Sequence, residues 1–241
     1  AKKAQFSLAW GRFSQRPDEQ WLRYTRELPF EQAEHLILNF QMMKNRRTFR
    51  VEAYQKTYRE LPRFPQAQPW LATGSGRGHA RGLDLFYRDQ KTIKFADFWI
   101  SYSLLDTRRL YRDFPEAAMP GFASRHNLSV VYKQWIPALE MQVGATYAFS
   151  SPRRYDDPNG PDFQEGRTAP FHDLSLNLSY LTRLWGHYTI VHASVTNVLG
   201  LEQTFGRRFS ATPGPDGRFA GVAVRPPAPR FIFLGIFVSV E

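Results

Sequence analysis

Ten segments of this chain alternate apolar and polar residues with period two, most of them over about 10–13 residues. They run 4–14, 33–43, 48–58, 78–88, 94–105, 122–133, 138–150, 171–183, 187–199 and 229–240. Period two puts successive side chains on opposite faces of a strand. Strands of soluble proteins have a mode of about five or six residues, whereas strands tilted across a bilayer need about 9–11. The feature restricts the fold to all-β, and points to an antiparallel transmembrane β-barrel. A soluble sandwich or lipocalin-like barrel shares the alternation but turns its apolar face inward.

The faces are well separated. Leu36, Leu38, Phe40 and Met42 oppose His35, Asn39 and Gln41; Leu174, Leu176, Leu178 and Tyr180 oppose Asp173, Ser175, Asn177 and Ser179. In 94–105, Phe98, Ile100, Tyr102 and Leu104 oppose Asp97, Ser101 and Ser103. Connections alternate strictly between long (15–32, 59–77, 106–121, 151–170, 200–228) and short (44–47, 89–93, 134–137, 184–186). Outer-membrane barrels alternate this way, with short periplasmic turns and long outer loops; a sandwich has no reason to. Aromatic residues make up 15% of the chain. Trp10, Tyr58, Tyr87, Trp99, Tyr132, Trp135, Tyr147, Phe149, Trp185 and Tyr188 fall near strand ends, where interfacial girdles are expected.

The chemistry the sequence excludes is broad. No window of about 20 uncharged apolar residues exists, so no transmembrane helix is expected. "AKKAQFSLAW" enters the alternating pattern directly, so no signal peptide is expected in this stretch. Zero cysteines remove disulfides, thiol catalysis and cysteine metal sites. His35, His79, His126, His172, His187 and His192 show no metal-ligand spacing, and Asp156–Asp157 lack the Ca²⁺-loop pattern. "GSGRG" (Gly74, Gly76, Gly78) has no buried strand before it, and a transmembrane-type strand rather than a helix follows, so it reads as loop and strand start rather than a phosphate loop. No nucleophile elbow or Ser/His/Asp set is visible. The reading is a non-enzyme with no cofactor and no metal. The net charge is +10, but the arginines are spread over many loops rather than one stripe, and no nucleic-acid partner is expected.

Several stretches, in order, resemble one family. "GRFSQRPDEQWLRYTRELPFEQAEHLILNFQ", "RTFRVEAYQKTYRELPRF", "GSGRGHARGLDLFYRD", "FWISYSLLDTRRLYRDFP … FASRHNLSVVYKQW" and the ending "SVTNVLGLEQTFGRRFS … PPAPRFIFLGIFVSVE" are similar to TonB-dependent outer-membrane receptors of the Bacteroidetes type. The resemblance covers essentially the whole chain. It implies a barrel of about 22 strands with a plugged lumen, of which residues 1–241 are the C-terminal ten, with plug, TonB-recruiting motif and earlier strands elsewhere. It implies an outer-membrane location with both chain ends periplasmic and long loops extracellular. One departure is the ending: the family usually closes on an aromatic residue, and here Val240 holds that place before Glu241.

The resemblance further implies active uptake of a scarce solute (siderophore, oligosaccharide or peptide), captured by the loops and driven through TonB. Partners would be outer-membrane lipid, the missing strands and plug, the TonB complex and a surface lipoprotein. Aromatic residues beside arginines in long loops suit capture, because rings stack on flat or sugar groups and guanidinium forks grip carboxylates or phosphates. Trp21, Arg23, Tyr24, Trp70, Arg153, Arg154 and Tyr155 are the expected ligand contacts. Two alternatives stay open: a non-transporting structural barrel component of a cell-envelope complex, and a soluble β-barrel binding sugar or nucleic acid.

Overall fold

The computed structural model describes residues 3–23, 25–65 and 68–239. Its strands in chain order are β1 (Lys3–Gln15), β2 (Glu31–Lys44), β3 (Arg47–Arg63), β4 (Thr73–Asp89), β5 (Ala96–Leu110), β6 (His126–Ile136), β7 (Met141–Ser150), β8 (Arg154–Tyr155), β9 (Gly166–Arg167), β10 (Phe171–Leu184), β11 (His187–Thr196), β12 (Gly206–Phe209), β13 (Gly221–Val224) and β14 (Phe231–Val238). Ten of them form one antiparallel sheet in the order β1-β2-β3-β4-β5-β6-β7-β10-β11-β14. β8–β9 and β12–β13 are small pairs inside long loops. A helical turn, α1 (Glu19–Leu22), lies in the β1–β2 loop, N-capped by the Asp18 carboxylate. No helix among the described residues is long and apolar enough to cross a membrane. β1 and β14 are the sheet edges, so the described residues form an open wall.

All ten expected strands are present, with informative shifts. β3 and β4 run past the expected 58 and 78 to Arg63 and Thr73, taking in "GSGRG". The register slips between Tyr58 and Leu61, and Glu60 takes a left-handed φ of 56°, a bulge that adds one residue to β3. Gly76 lets the bulged backbone pass: a Cβ there would sit 2.5 Å from the Leu61 carbonyl oxygen. The expected strand at 122 begins instead at His126, because Pro120–Ala123 closes a turn (Ala123 N–H to Pro120 O, 2.9 Å). β11 stops at Thr196 rather than 199. Asn197 turns to φ 48°, its amide donates to the Leu201 and Pro229 carbonyls, and its side-chain oxygen accepts from Leu201 N–H.

The register joins the outward residues into continuous rows. One row runs Leu8, Leu38, Ala53, Leu83, Leu104; another runs Val130, Tyr147, Leu174; a third runs Leu178, Ala193, Leu234. The opposite face carries Asn39 and Glu52 (3.1 Å), Ser103 donating to Asp84, Ser150 donating to Asn127 (2.7 Å), and Ser179 with His192 (2.8 Å). Among the described residues the buried apolar set is only Leu61, Ala80, Ala96, Tyr111 and Ala123. A soluble β protein of this size would bury far more. The apolar surface is on the outside, where lipid is its solvent.

The girdle expectation holds in part. Trp10, Tyr87, Tyr132, Tyr147 and Phe149 take outward register positions. Tyr58, Trp99, Trp135 and Tyr188 are one residue out of phase and stand on the lumen-side positions. Trp99 there has Arg88 at 5.6 Å and Lys133 at 5.2 Å over its ring. Strand-end position alone does not decide a face; parity does.

One rim carries short turns. Asn45 and Arg46 (φ 51° and 59°) and Trp185 and Gly186 (φ 50° and 84°) both have two consecutive left-handed residues, as a tight hairpin requires. The two described ends, Lys3 opposite Met43 and Val238 opposite Thr189, lie at this rim. Val240 and Glu241, on which the terminal departure rests, lie outside the described residues.

Candidate functional site

The long connections gather at the opposite rim, and four of them are tied together in two pairs. Arg112 N–H donates to Pro62 O (2.6 Å) and Phe64 N–H to Arg112 O (2.9 Å), tying the β5–β6 loop to the end of β3. Arg109 and Ala118 exchange backbone hydrogen bonds at 2.9 and 3.1 Å. The β7–β10 loop is closed by β8–β9 and by Asn159, whose amide meets the backbone of Phe219 at 2.8 and 3.0 Å. That loop is therefore braced by the β11–β14 loop.

Between these loops is a cavity of about 630 Å³. Phe64, Phe114 and Phe163 supply its apolar wall, and Asp113, Asp156, Asp157 and Asp162 supply four carboxylates, with Arg63 on the β3 side. The rings form a chain: Tyr111–Phe114 at 4.9 Å and Phe114–Phe163 at 5.0 Å, both edge-to-face. The Arg112 guanidinium stacks over Tyr111 (5.2 Å) and Trp21 (5.9 Å), and Trp21 lies 4.8 Å from Phe64. Asp156 accepts from Gln164 N–H (3.1 Å) and Asp157 from Asn159 (3.0 Å). These bonds fix both carboxylates while leaving oxygens free. Asp113 and Asp162 are exposed and accept no hydrogen bond among the described residues. The lining can stack on a flat or sugar-like face and accept from hydroxyl or cationic donors.

The structure divides the expected contact residues. Trp21 stands behind the cavity wall through Phe64. Trp70 is exposed in the turn Pro69–Leu71, whose Leu71 lines the cavity. Arg153 is half-buried and tied to its own loop, its N–H on Thr168 Oγ1 at 3.0 Å. Tyr155 is covered by Gly166, Phe209 (6.2 Å) and Arg207 (6.0 Å). Arg23 and Arg154 are exposed, and Tyr24 lies outside the described residues. The sequence reading missed the convergence of Phe114, Phe163, Asp113 and Asp162. The stretch "DDPNGPDF" carried the signal, a rigid turn dense in carboxylates, but only the folded loops show which rings it faces.

No protein-family model matches the sequence, and no curated protein matches it. Solved structures do. The ferric-catecholate import receptor Fiu of E. coli aligns over 98% of this chain and 33% of its own, with a TM-score of 0.67 at 9% identity. The FrpB iron transporter of Neisseria meningitidis aligns over 97% and 36%, with a TM-score of 0.68 at 13% identity. The outer-membrane transporter YddB of E. coli aligns over 97% and 38%, with a TM-score of 0.66 at 10% identity. The chain has the fold of an outer-membrane β-barrel wall. It spans about a third of the length of the transporters it resembles. The lipid-facing rows of the wall are those traced above, and the cavity stands over one of its ends.

Proposed function

We propose that residues 1–241 form the C-terminal ten strands of a TonB-dependent outer-membrane transporter, one continuous wall segment with its solute-capture loops. The observation that carries this is the unbroken outward apolar face across ten strands, with every long loop on one rim, in a fold shared with solute importers. The short-turn rim with both described ends is the periplasmic side, and the loop cavity opens to the exterior. Earlier strands and the plug come from the rest of the protein, and the TonB complex engages that plug. The Bacteroidetes type and a surface lipoprotein partner rest on the resemblance of the sequence stretches, not on the cavity.

The cargo is a scarce solute bound by stacking and by donation to carboxylates. Among siderophore, oligosaccharide and peptide, an oligosaccharide or a cationic peptide fits the Asp113, Asp156, Asp157 and Asp162 lining better than an anionic iron chelate. Trp70, Arg154 and Arg23 are exposed enough to touch cargo at the cavity's approaches, with Trp21, Arg153 and Tyr155 holding loop shape.

The test is uptake in cells with and without the full-length gene, comparing a neutral oligosaccharide pool, a cationic peptide pool and ferric siderophore. Gene-dependent uptake abolished by loss of TonB is the expected result. An intact envelope assembly with no gene-dependent uptake of any pool would favour the non-transporting structural component. Phe114→Ala with Asp113→Asn should weaken cargo binding about tenfold or more, the scale of one stacking and one charged hydrogen bond.

A further inference from the structure

The lipid face is charge-free across its middle and strongly basic at its long-loop border. Outward register positions there hold Arg12 on β1, Arg59 on β3, Arg77 and Arg81 on β4 and Arg108 on β5, with Arg125 just before β6. Only Glu34 and Asp106 oppose them on these strands. Glu34 is met by Arg12 at 3.4 Å and by the Trp10 indole N–H at 3.1 Å. Asp106 is gripped by two nitrogens of Arg81, both at 2.8 Å. Arg108 and Arg125 are exposed and pair with no acid among the described residues. Arginines on the lipid-facing side at a bilayer border reach the headgroup level, where the anionic groups within their range are lipid phosphates.

Directly below this border the face is furrowed. In the row Leu8–Leu38–Ala53–Leu83–Leu104, Ala53 is the one small residue, and leucines rise on both sides of it. The furrow encloses about 560 Å³, with an apolar floor and with Arg81, Asp106 and Arg125 at its upper end. One end is apolar, the other cationic, and the apolar end points toward the bilayer middle. That polarity matches one molecule of the surrounding leaflet.

We infer that this furrow binds a phosphate-bearing membrane lipid, one acyl chain lying along Ala53 and its phosphate held by Arg81, Arg108 and Arg125. Guanidinium groups suit this because they form paired, charge-assisted hydrogen bonds with phosphate oxygens. The Arg81–Asp106 pair fixes one guanidinium so that little order is lost on binding. The site faces lipid rather than the loop cavity, so it stands whether or not the protein transports.

The experiment uses the delipidated full-length protein in non-ionic detergent and measures binding of dioleoyl phosphatidic acid, dioleoylglycerol and inorganic phosphate. Phosphatidic acid should bind about thirtyfold more tightly than dioleoylglycerol, the scale of two arginines at a lipid surface, with the advantage shrinking as salt is raised. Inorganic phosphate alone should not bind measurably. Arg108→Gln with Arg125→Gln should erase the advantage of phosphatidic acid and leave dioleoylglycerol unchanged. Ala53→Leu should weaken both. Equal binding of the two lipids by the wild type overturns the proposal, as does full phosphatidic acid binding by the arginine variant or by phosphate without a chain. A dimer cross-linked through Ala53→Cys would assign the furrow to a second copy and also overturn it. If the arginine variant does not fold, the wild-type comparison of the two lipids decides the matter alone.

Discussion

Asp89 shows how much one residue at the short-turn rim can hold. It is almost completely buried, and it accepts from Lys91 N–H (2.7 Å), Thr92 N–H (2.8 Å), Thr92 Oγ1–H (2.6 Å), Tyr87 Oη–H (2.9 Å) and Arg47 Nε–H (2.8 Å). Because Arg47 starts β3 and Thr92 lies in the β4–β5 turn, one carboxylate staples neighbouring turns. Burial by itself would raise its pKa; the hydrogen bonds from Thr92, Lys91 and Arg47 outweigh it and hold the group well below the usual carboxylate range. A depressed folded pKa stabilises the fold at neutral pH, and that stability is lost as pH falls below the unfolded value of about 3.9. Asp89→Asn should therefore lower the thermal midpoint in detergent at pH 7, and the gap to wild type should close in strong acid. Equal midpoints at pH 7 would count against the staple. Gly82 makes a second residue-scale case: a Cβ there would lie 2.4 Å from the Leu104 carbonyl oxygen and 2.5 Å from Tyr54 Oη. Gly82→Val should cost about 1–3 kcal/mol through forced backbone movement, read as a lower temperature for the heat-induced shift in gel migration.

At the scale of a strand, parity decides what a substitution does. Val130 and Ser129 are neighbours on β6, but Val130 lies in the outward row between Ile100 and Tyr147 while Ser129 lies opposite Ser101 and Ala148 on the polar face. Val130→Arg should cost about 2–4 kcal/mol, as an arginine does near the bilayer middle. Ser129→Arg should cost far less, because its charge stays in the aqueous lumen. Folding titrations into lipid vesicles compare the two; similar costs would mean the faces have been assigned the wrong way round. The strands themselves were legible in the sequence, since alternation is a local property. The ends of β3, β4 and β6 were not. They depend on a bulge at Glu60, on Gly76 meeting the Leu61 carbonyl, and on a turn after Pro120, and each of these is a relation between separate segments. The same reason explains Tyr58, Trp99, Trp135 and Tyr188, whose place near strand ends suggested a lipid interface but whose parity puts them inside.

Over the whole molecule, the two edges set the behaviour. β1 exposes Phe6, Leu8 and Trp10, and β14 exposes Ile232, Leu234 and Ile236, with unpaired backbone along each. Unpaired apolar edges associate in water and are not tolerated in lipid. Residues 1–241 expressed alone should accumulate as aggregates that dissolve only in denaturant, whereas the full-length protein should come out of membranes in detergent. A monomeric, detergent-free preparation of residues 1–241 would overturn the membrane assignment. Of the expected contacts, the sequence singled out Trp21, Trp70 and Arg154 as loop aromatics and arginines, but it had no means of pairing Phe114 with Phe163 or Asp113 with Asp162. Those partners sit on loops some fifty residues apart, and only the packing of loop on loop brings them to one cavity. What the sequence by itself determined was the all-β class, the ten strands, the short and long rims and the polarity of each face, because period and turn chemistry are written in neighbouring residues. What only the tertiary structure decided was the register that merges ten faces into one lipid surface, the furrow at Ala53 below its arginine border, and the cavity between the long loops, because each is made by residues that meet across strands or loops.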